Sequence, residues 1–371
     1  MSASLPNREQ EVNGRLPDYL QASVQTAITK ANSLRSDRTL QFIFITDPHH
    51  QVGGNQLHAA KAVRELAAGT SAAFIVCGGD MSINGPKDES LQAQKEILQA
   101  LTLPGYPLFP VKGNHDDNSI RDFYHHKNGT DNVIFPDEMY GELFKGLEGT
   151  VRFDADNAAG LYYYYDVPER RTRVIVLDAI DIPYRRSEEG GLVYNGQWKY
   201  AFSNRQLNWM AHHALDFTDK SDRTEWKIIL FSHVALLQDD VYGTDNSIEN
   251  DRVMWELLRA YQQGCAYTSE PVEGDFAQSV TADFTEQGPG TLVASLFGHV
   301  HFDQAVAKDG ILMISSLNAC THRDFDNAPA RTEGTITETA FDLVTVDYGQ
   351  GKLYFTRVGA GEDRVVDMLQ G

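Results

Sequence analysis

The sequence has 371 residues, of which 42% are hydrophobic and 23% charged, a composition typical of globular proteins and not of disordered chains. Its 52 acidic residues outnumber its 32 basic residues and give a net charge of −20 at pH 7. So negative a surface argues against binding to long nucleic acids or to anionic membranes. No apolar run is long enough to span a membrane, since even the run 40–45 has only the length of a strand.

The three cysteines, Cys77, Cys265 and Cys320, are far apart and odd in number. Because no CxxC pair occurs, the sequence predicts neither a disulfide framework nor a thiolate zinc site, and reduced, buried thiols are the expected state. The N-terminus also lacks the charged and apolar regions of a signal peptide. Both features favour a cytoplasmic location.

The apolar stripe of residues 16–34 predicts an amphipathic helix, and from residue 40 onwards predicted strands alternate with helices. This alternation indicates βαβ units and a largely parallel sheet in the first half of the chain. The predicted strands are 40–46, 73–77, 108–112, 161–167, 173–178, 227–232, 292–297, 311–315, 341–347 and 352–358, the last two joined as a hairpin. The further predicted helices are 56–68, 88–101, 204–217 and 250–263.

No internal repeat or low-complexity linker interrupts the chain. We therefore expect residues 1–36 to form an N-terminal helix that packs on a single domain of residues 37–371. Two segments, 181–200 and 266–290, are long, polar and weakly periodic. Because loops of that length in a compact domain commonly act as lids or binding loops, we expect substrate-shaping insertions there.

Polar motifs follow five of the predicted strands or their turns. The carboxyl ends of parallel strands meet at one edge of a sheet, so residues that are far apart in sequence can converge there. In chain order the motifs are Asp47-Pro48-His49, Gly78-Gly79-Asp80, Gly113-Asn114-His115-Asp116, Ser232-His233 and Gly298-His299-Val300-His301.

The side chains in these motifs suit a divalent metal of hard to borderline character, because they offer imidazole and carboxylate groups without a thiolate. The carboxylate of Asp80 could bridge two ions, and Asn114 offers its amide oxygen. His299 and His301 are two residues apart, so in an extended segment both rings point to one side. A single motif of this kind is more often a turn or a buried structural histidine than a metal site. The ordered set of five, however, predicts a metal site.

The ordered motifs resemble those of the calcineurin-like metallophosphoesterase superfamily, D-x-H, GD, GNH(D/E), H and GHxH. The pattern spans Asp47 to His301, and the segment 202–209 is similar to the S-x-x-Q-x-x-W helix start of the family. Bacterial members with an N-terminal helix and an ending like 359–364 look most similar. The resemblance implies an α/β (α+β) fold, a four-layer α/β/β/α sandwich of two mixed β-sheets flanked by helices, with the metals at one edge.

The resemblance also implies a set of metal ligands and a catalytic histidine. One ion would take Asp47, His49, Asp80 and His301, and the other would take Asp80, Asn114, His233 and His299. His115 would act with Asp80 and Asn114 in catalysis, either by stabilising the transition state or by protonating the leaving oxygen. Two divalent ions, of Mn, Fe, Zn or Co, would generate a hydroxide for in-line attack on phosphorus.

The sequence departs from the family at Ile83, where many relatives carry an Asp or Asn directed toward the catalytic histidine and purple acid phosphatases carry a metal-binding Tyr. A Tyr-ligated iron site and a close relationship to serine/threonine protein phosphatases are therefore disfavoured. The orientation of His115 then depends on another residue, either Asn84 or Asp116. Asp116 could instead cap a helix that begins near Asn118.

These features predict an enzyme that hydrolyses phosphate esters of small or moderate size, a phosphodiesterase in preference to a phosphomonoesterase. His50, His322 and Arg323 are candidate substrate contacts. The alternative is a non-catalytic scaffold or binding protein on the same fold. All seven ligand positions and His115 carry the expected residue types, which favours the enzyme. The sequence does not indicate the oligomeric state.

Overall fold

The computed structural model describes residues 15–125, 129–244 and 246–369. Two large β-sheets form the centre of the molecule, and helices cover their outer faces. In this part of the chain no helix combines the length and the apolar character needed to cross a membrane. The first 14 residues of the predicted N-terminal segment 1–36 lie outside the described residues.

The first sheet has six strands and combines parallel and antiparallel pairs. Thr39–Ile45 is parallel to Ala72–Cys77 on one side and antiparallel to Ala340–Asp347 on the other. All of its residues are buried because both faces of the strand are covered by other layers. In spatial order the strands are Arg364–Asp367, Lys352–Gly359, Ala340–Asp347, Thr39–Ile45, Ala72–Cys77 and Leu108–Pro110.

The second sheet has seven strands, with a parallel centre and antiparallel edges. In spatial order they are Gln304–Lys308, Ile311–Ser315, Thr291–Phe297, Lys227–Phe231, Thr172–Val176, Tyr163–Val167 and Arg152–Phe153. Two short pairs lie outside the large sheets. Ala266–Thr268 is antiparallel to Thr281–Asp283, and Tyr200–Ala201 is parallel to Ile248–Glu249.

Helices connect the strands and cover both sheets. The α-helices are Asp18–Leu34, Gln56–Gly69, Lys87–Leu101, Ser119–His125, Pro136–Met139, Asn204–Trp209 and Asp251–Gln263. Tyr140–Phe144 and Met210–Ala214 are π-helical turns, and Lys145–Leu147, Pro168–Arg170, Arg223–Glu225 and Ile336–Glu338 are 3₁₀ turns.

Apolar side chains fill the space between the two sheets. Phe42 stacks on Phe74 with ring centroids 5.0 Å apart, and Phe231 of the other sheet meets Phe42 edge-to-face at 5.5 Å. On the outer face of the first sheet, Leu20 and Val24 of the N-terminal helix belong to the same buried cluster as strand residues. A third cluster joins the second sheet to its helices. The expected four-layer α/β/β/α arrangement is therefore confirmed.

All ten predicted strands are present, with ends shifted by at most two residues. The predicted helix 204–217 is α-helical only over Asn204–Trp209 and continues as the π turn Met210–Ala214. The segment 266–290 is not entirely loop, because it contains a short antiparallel pair. Of the three thiols, Cys77 and Cys320 are buried as expected, whereas Cys265 is only partly buried.

Candidate metal centre

The five polar motifs follow strands that run in parallel within their sheets. Asp47, Asp80 and Asn114 come after three neighbouring strands of the first sheet, and His233 and His299 come after two neighbouring strands of the second. The two sets meet at one edge of the sandwich, where His233 contacts Asp80 and Asn114. Parallel strand order thus brings together residues up to 254 positions apart.

One group of contacts joins the first and last motifs. His301 Nε2 lies 3.2 Å from Asp47 Oδ1 and 3.2 Å from His49 Nε2. His49 Nε2 also lies 3.7 Å from Asp80 Oδ2. The ligand atoms of Asp47, His49 and His301 all fall within 4.8 Å of one another, a spacing that a single ion can fill.

A second group of contacts surrounds the other side of Asp80. Its Oδ2 atom lies 3.2 Å from His233 Nε2. Asn114 Oδ1 lies 2.9 Å from His233 Nε2 and 3.0 Å from His299 Nδ1. Asp80, His233 and His299 form another set of ligand atoms within 4.8 Å. All seven predicted ligand residues therefore lie in one continuous cluster of nitrogen and oxygen donors, which fits two divalent cations.

The backbone at this cluster adopts the left-handed conformation, which residues other than glycine rarely take. Left-handed φ angles cost roughly 1–2 kcal/mol per residue, and they persist where the surrounding structure enforces them. Five of the seven ligand candidates have such angles: Asp47 at 51°, His49 at 42°, Asp80 at 50°, His299 at 64° and His301 at 50°. Backbone hydrogen bonds hold the loops in place, for example from His49 N to Asp80 O at 2.9 Å. Strain concentrated at one cluster is typical of a functional site.

Two glycines allow the loops to approach one another. A Cβ atom at Gly113 would overlap the backbone and the carboxylate of Asp80. A Cβ atom at Gly298 would overlap the side chains of Thr46 and Asp47. The glycines in the third and fifth motifs are therefore required by close packing around the carboxylates.

Burial and neighbouring charge together set the ionisation of the site. Burial alone raises the pKa of Asp47, but the positive charge of His301 and His233 outweighs burial and lowers that pKa to about 2. The pKa of Asp80 also lies well below its usual range, because His233 opposes the effect of burial. Burial lowers the pKa of His49 to about 4. The cluster therefore keeps two ionised carboxylates at neutral pH, as cation binding requires.

His115 is held by Asn84, one of the two residues that the sequence left open. The distance from His115 Nδ1 to Asn84 Oδ1 is 2.5 Å. Asn84 Nδ2 donates to His115 O at 3.1 Å and to Asn118 Oδ1 at 3.3 Å, so Asn84 Oδ1 is left to accept from the ring. His115 Nε2 then faces Gln197 Nε2 at 3.2 Å and Asp80 Oδ2 at 3.9 Å.

Asp116 has a different role from the two that the sequence suggested. Its carboxylate accepts hydrogen bonds from Met81 N and Gly113 N, both at 2.7 Å, and is fully buried. It therefore ties the second motif to the third and neither orients His115 nor caps a helix. The hydrogen bond at the start of helix Ser119–His125 comes instead from Ser119 N to Asp117 Oδ1, at 2.8 Å.

Outer partners fix two of the other imidazole rings. His301 Nδ1 lies 2.5 Å from Asp324 Oδ2, and His233 Nδ1 lies 2.8 Å from the carbonyl oxygen of Gly78. Such partners set which ring nitrogen is available to a metal. Sequence reasoning missed Asp324 and Gln197, because neither belongs to a motif. The one available signal was their position in long loops near the motifs.

A cavity of about 510 Å³ opens over His49, His115 and His301. Its other lining residues include His322, one of the predicted substrate contacts. A larger cavity of about 770 Å³ lies on the other side of Ile83 and contacts none of the predicted ligands. Of the two, only the smaller cavity is lined by residues of the five motifs.

The remaining predicted contacts lie elsewhere. His50 is fully buried against Glu96, with Nε2 and Oε2 2.9 Å apart, and borders the larger cavity. The guanidinium of Arg323 donates to backbone oxygens within its own loop, including that of Ala328 at 2.9 Å. Neither residue lines the cavity over the histidines.

The two long segments differ in their relation to the site. Segment 181–200 reaches it, because Gln197 contacts His115 and the Tyr200 ring lies 5.5 Å from that of His299. Segment 266–290 contacts the first segment instead, through Asp275 with Tyr194 at 2.8 Å. It thus supports the first segment and contributes no lining residue to the cavity over the histidines.

The chain is similar to known phosphoesterases in its sequence motifs and in its fold. The family model for calcineurin-like phosphoesterases matches residues 40–303. A dimetal phosphatase from Danio rerio is similar in structure, with 15% identity and a TM-score of 0.55 over 88% of this chain and 98% of that chain. GAP50, the anchor in the inner membrane complex of Plasmodium, is 12% identical, with a TM-score of 0.48 over 90% and 89%. The comparison with curated proteins returned no match.

The identity to the Danio rerio phosphatase is so low that this structural similarity shows the fold alone. The family match covers more than half of the chain and includes all five motifs. The expected enzyme class, a metal-dependent phosphoesterase, is confirmed, and the chain belongs to the calcineurin-like phosphoesterase family.

Proposed function

We propose that this protein is a phosphodiesterase that works with two divalent cations. The observation that carries the proposal is the convergence of the seven predicted ligands beneath a cavity of about 510 Å³. The cavity gives the substrate direct access to the cluster. Substrates of small or moderate size fit a cavity of this volume.

The contacts support a specific division of the ligands. Asp80 Oδ2 lies between His233 Nε2, at 3.2 Å, and His49 Nε2, at 3.7 Å, which suits a carboxylate shared by two ions. One cation would then be held by Asp47, His49, Asp80 and His301, and the other by Asp80, Asn114, His233 and His299. When bound, the two cations supply an activated water and positive charge for the phosphoryl oxygens. The donor set suits Mn, Fe, Zn and Co alike.

His115 is suited to act on the leaving group. Asn84 engages its Nδ1 atom, so Nε2 is the nitrogen that can exchange a proton with the substrate. The ring lines the cavity beside His49 and His301. In its protonated form it would donate from Nε2 to the departing oxygen, a form of general acid catalysis. Asp80 and Asn114 would act by holding the cations beside that oxygen.

The charge of the cavity favours a diester over a monoester. Within the described ranges no Lys or Arg lines it. A monoester carries a second negative charge at neutral pH, and side-chain cations are the usual means of binding it. A diester carries only one negative charge, which the metal cations can balance.

We also propose that residues 37–371 form one domain and that the N-terminal helix packs on it. The buried contacts of helix Asp18–Leu34 with the first sheet support this division. Segment 181–200 would shape the substrate site through Gln197, and segment 266–290 would support it. A cytoplasmic location stays a prediction.

The test compares two chromogenic substrates. Metal-free protein is reconstituted with Mn²⁺, and kcat/KM is measured for bis(p-nitrophenyl) phosphate and p-nitrophenyl phosphate. We expect turnover of both, faster for the diester, with complete loss in EDTA and recovery when Mn²⁺ is restored. Faster turnover of the monoester would overturn the diester preference, and EDTA-resistant turnover would overturn the metal mechanism.

The scaffold alternative is tested by the same preparation. A scaffold would bind no stoichiometric metal, whereas the proposed enzyme should hold about two ions per chain by elemental analysis.

A further inference from the structure

The side-chain amide of Gln197 contacts His115 from outside the five motifs. Gln197 Nε2 lies 3.2 Å from His115 Nε2. Asn84 Oδ1 accepts the proton of the other ring nitrogen, so in the neutral ring His115 Nε2 carries a lone pair. Because an amide nitrogen can only donate, Gln197 Nε2 donates to this lone pair. The amide hydrogens thus point at the nitrogen that we assign to the leaving group.

The orientation of this amide leaves its oxygen without a partner. Gln197 Oε1 is buried, and among the described residues it makes no hydrogen bond. A buried acceptor without a partner destabilises the folded state, and folded proteins contain few of them. The opposite orientation would place Oε1 against the lone pair of His115 Nε2, where two acceptors repel each other. The protein therefore leaves the amide oxygen unpaired and directs the amide nitrogen toward the ring.

The loop that carries Gln197 is fastened to residues that follow the third motif. Ser119 Oγ donates to Asn195 Oδ1 and accepts from Gly196 N, both at 3.0 Å. A Cβ atom at Gly196 would overlap the carboxylate of Asp117, so the two backbones pass close to each other. Gln197 N also donates to Asn195 Oδ1, at 2.9 Å. These contacts fix the amide relative to the loop of the third motif.

The leaving oxygen of a substrate would come close to both groups. To receive a proton from His115 Nε2, the oxygen must lie within about 3 Å of that atom. Gln197 Nε2 lies 3.2 Å from the same atom, so one oxygen can accept from the ring and from the amide together. Negative charge builds on this oxygen as its bond to phosphorus breaks. A hydrogen bond from the amide then becomes stronger than its bond to the neutral ring, and such a difference accelerates the reaction.

We propose that Gln197 is a further catalytic residue, which donates a hydrogen bond to the leaving oxygen beside His115. This inference rests on the proposed role of His115 in the phosphodiesterase reaction and adds a group from outside the family motifs. In the empty site the amide donates to His115 Nε2. In the reaction the leaving oxygen takes the proton of His115 Nε2 and accepts a hydrogen bond from Gln197 Nε2, while the amide keeps its own protons.

The experiment compares two diesters whose leaving groups differ in acidity. Methyl p-nitrophenyl phosphate releases p-nitrophenol, and methyl phenyl phosphate releases phenol, which is less acidic. The values of kcat and KM are measured for the full-length, Mn²⁺-loaded protein and for Gln197→Met, which keeps the length of the side chain and removes its donor. The matched control is Gln25→Met, at an exposed glutamine of helix Asp18–Leu34.

We expect Gln197→Met to lower kcat about thirtyfold for the phenyl ester and about tenfold for the p-nitrophenyl ester, with little change in KM. The poorer leaving group carries more charge in the transition state and therefore depends more on the donor. Gln25→Met should change neither rate. A purely structural role would lower both rates by the same factor, so equal losses for the two esters would overturn the inference. So would unchanged rates.

A second background separates the amide from the ring. In His115→Gln the leaving oxygen receives no proton from the ring and carries more charge. Adding Gln197→Met to this variant should therefore lower kcat at least as much as in the unaltered protein. If the added substitution had no effect there, the amide would act only through the ring, and the direct contact with the leaving oxygen would be overturned.

Failure of the two proposals can be told apart. Should the unaltered protein hydrolyse neither ester, the phosphodiesterase proposal fails, but the contact can still be measured. In ¹⁵N-labelled, Zn²⁺-loaded protein the side-chain amide signal of Gln197 is assigned by its absence in Gln197→Met. This signal should shift when dimethyl phosphate, an unreactive diester with the same bridging oxygens, is added. A signal that does not shift would overturn the inference.

Discussion

The metal centre has a buried side and an open side, and the two differ in how the protein holds them. Four ligand candidates form the buried side, and each is at most 2% exposed: Asp47, Asp80, Asn114 and His233. On the open side the side chains of His49, His115 and His301 are 14%, 27% and 13% exposed. The open side faces the cavity, whereas the buried side faces the packed interior between the sheets.

The pKa values of the histidines depend on how close each ring lies to a carboxylate and not on which side it occupies. Burial would lower the pKa of His233, but Asp80 and Asp47 raise it to about 9. On the open side, burial lowers the pKa of His49 to about 4, even though Asp80 opposes it. The open side is not uniform, because the carboxylates of Asp47 and Asp324 outweigh burial and hold the pKa of His301 well above its usual range. We infer that the buried side fixes the positions of the cations and the open side presents them to substrate.

The largest expected effect is on the buried side. Asp80→Asn removes the charge shared by the two groups of ligands, so we expect kcat to fall roughly 10³-fold or more, with loss of bound metal. The measurements are kcat with bis(p-nitrophenyl) phosphate and metal content by elemental analysis. Asp367→Asn, whose side chain is 80% exposed, serves as the control and should change neither. Full metal content with normal kcat in Asp80→Asn would contradict the shared-ligand role.

On the open side, His115→Gln should affect chemistry without affecting metal content. Loss of a general acid lowers kcat by roughly 10²–10³-fold. Metal stoichiometry should stay at the value of the unaltered protein, since His115 is not one of the proposed ligands. His212→Gln, an exposed histidine of the π turn Met210–Ala214, is the matched control. A parallel loss of metal would place His115 among the ligands and remove the distinction drawn here.

The smallest effect is expected at Asn84, which acts through His115. Asn84→Ala removes the acceptor of the His115 Nδ1 proton, and we expect kcat to fall about tenfold with little change in KM. Asn84→Asp restores an acceptor at the same place and should recover most of kcat. If both substitutions lower kcat equally, the role of Asn84 is in folding of the loop and not in orienting the ring.

The sequence predicted the convergence of the motif residues better than it predicted their surroundings. The seven ligand candidates could be named because the five motifs match those of the family, and their convergence could be expected because parallel strand order brings such positions together. Asn84 could be named only as one of two alternatives, since its contact with His115 spans 31 residues. Gln197 and Asp324 could not be found, because their contacts depend on how long loops fold back over 82 and 23 residues.

The fold shows the same limit. Strands buried on both faces were found because they are continuous apolar runs, whereas the edge strand Gln304–Lys308 was missed because none of its residues is fully buried. The π turn after Trp209 could not be foreseen, since α and π turns share nearly the same apolar spacing. Left-handed backbone at the ligands could not be foreseen either, because Asp and His adopt it more often than most residues but still uncommonly, and the folded loops enforce it here.

The position of strand Ala340–Asp347 has a consequence for biosynthesis. This strand is the antiparallel neighbour of Thr39–Ile45, although about 300 residues separate the two. Until the ribosome has produced it, the strand that leads to Asp47 has an unpaired edge, even after every ligand has been translated. We therefore expect the strand that leads to Asp47, and with it the metal centre, to reach its final stability only when a part of the chain that carries none of the ligand candidates has been added.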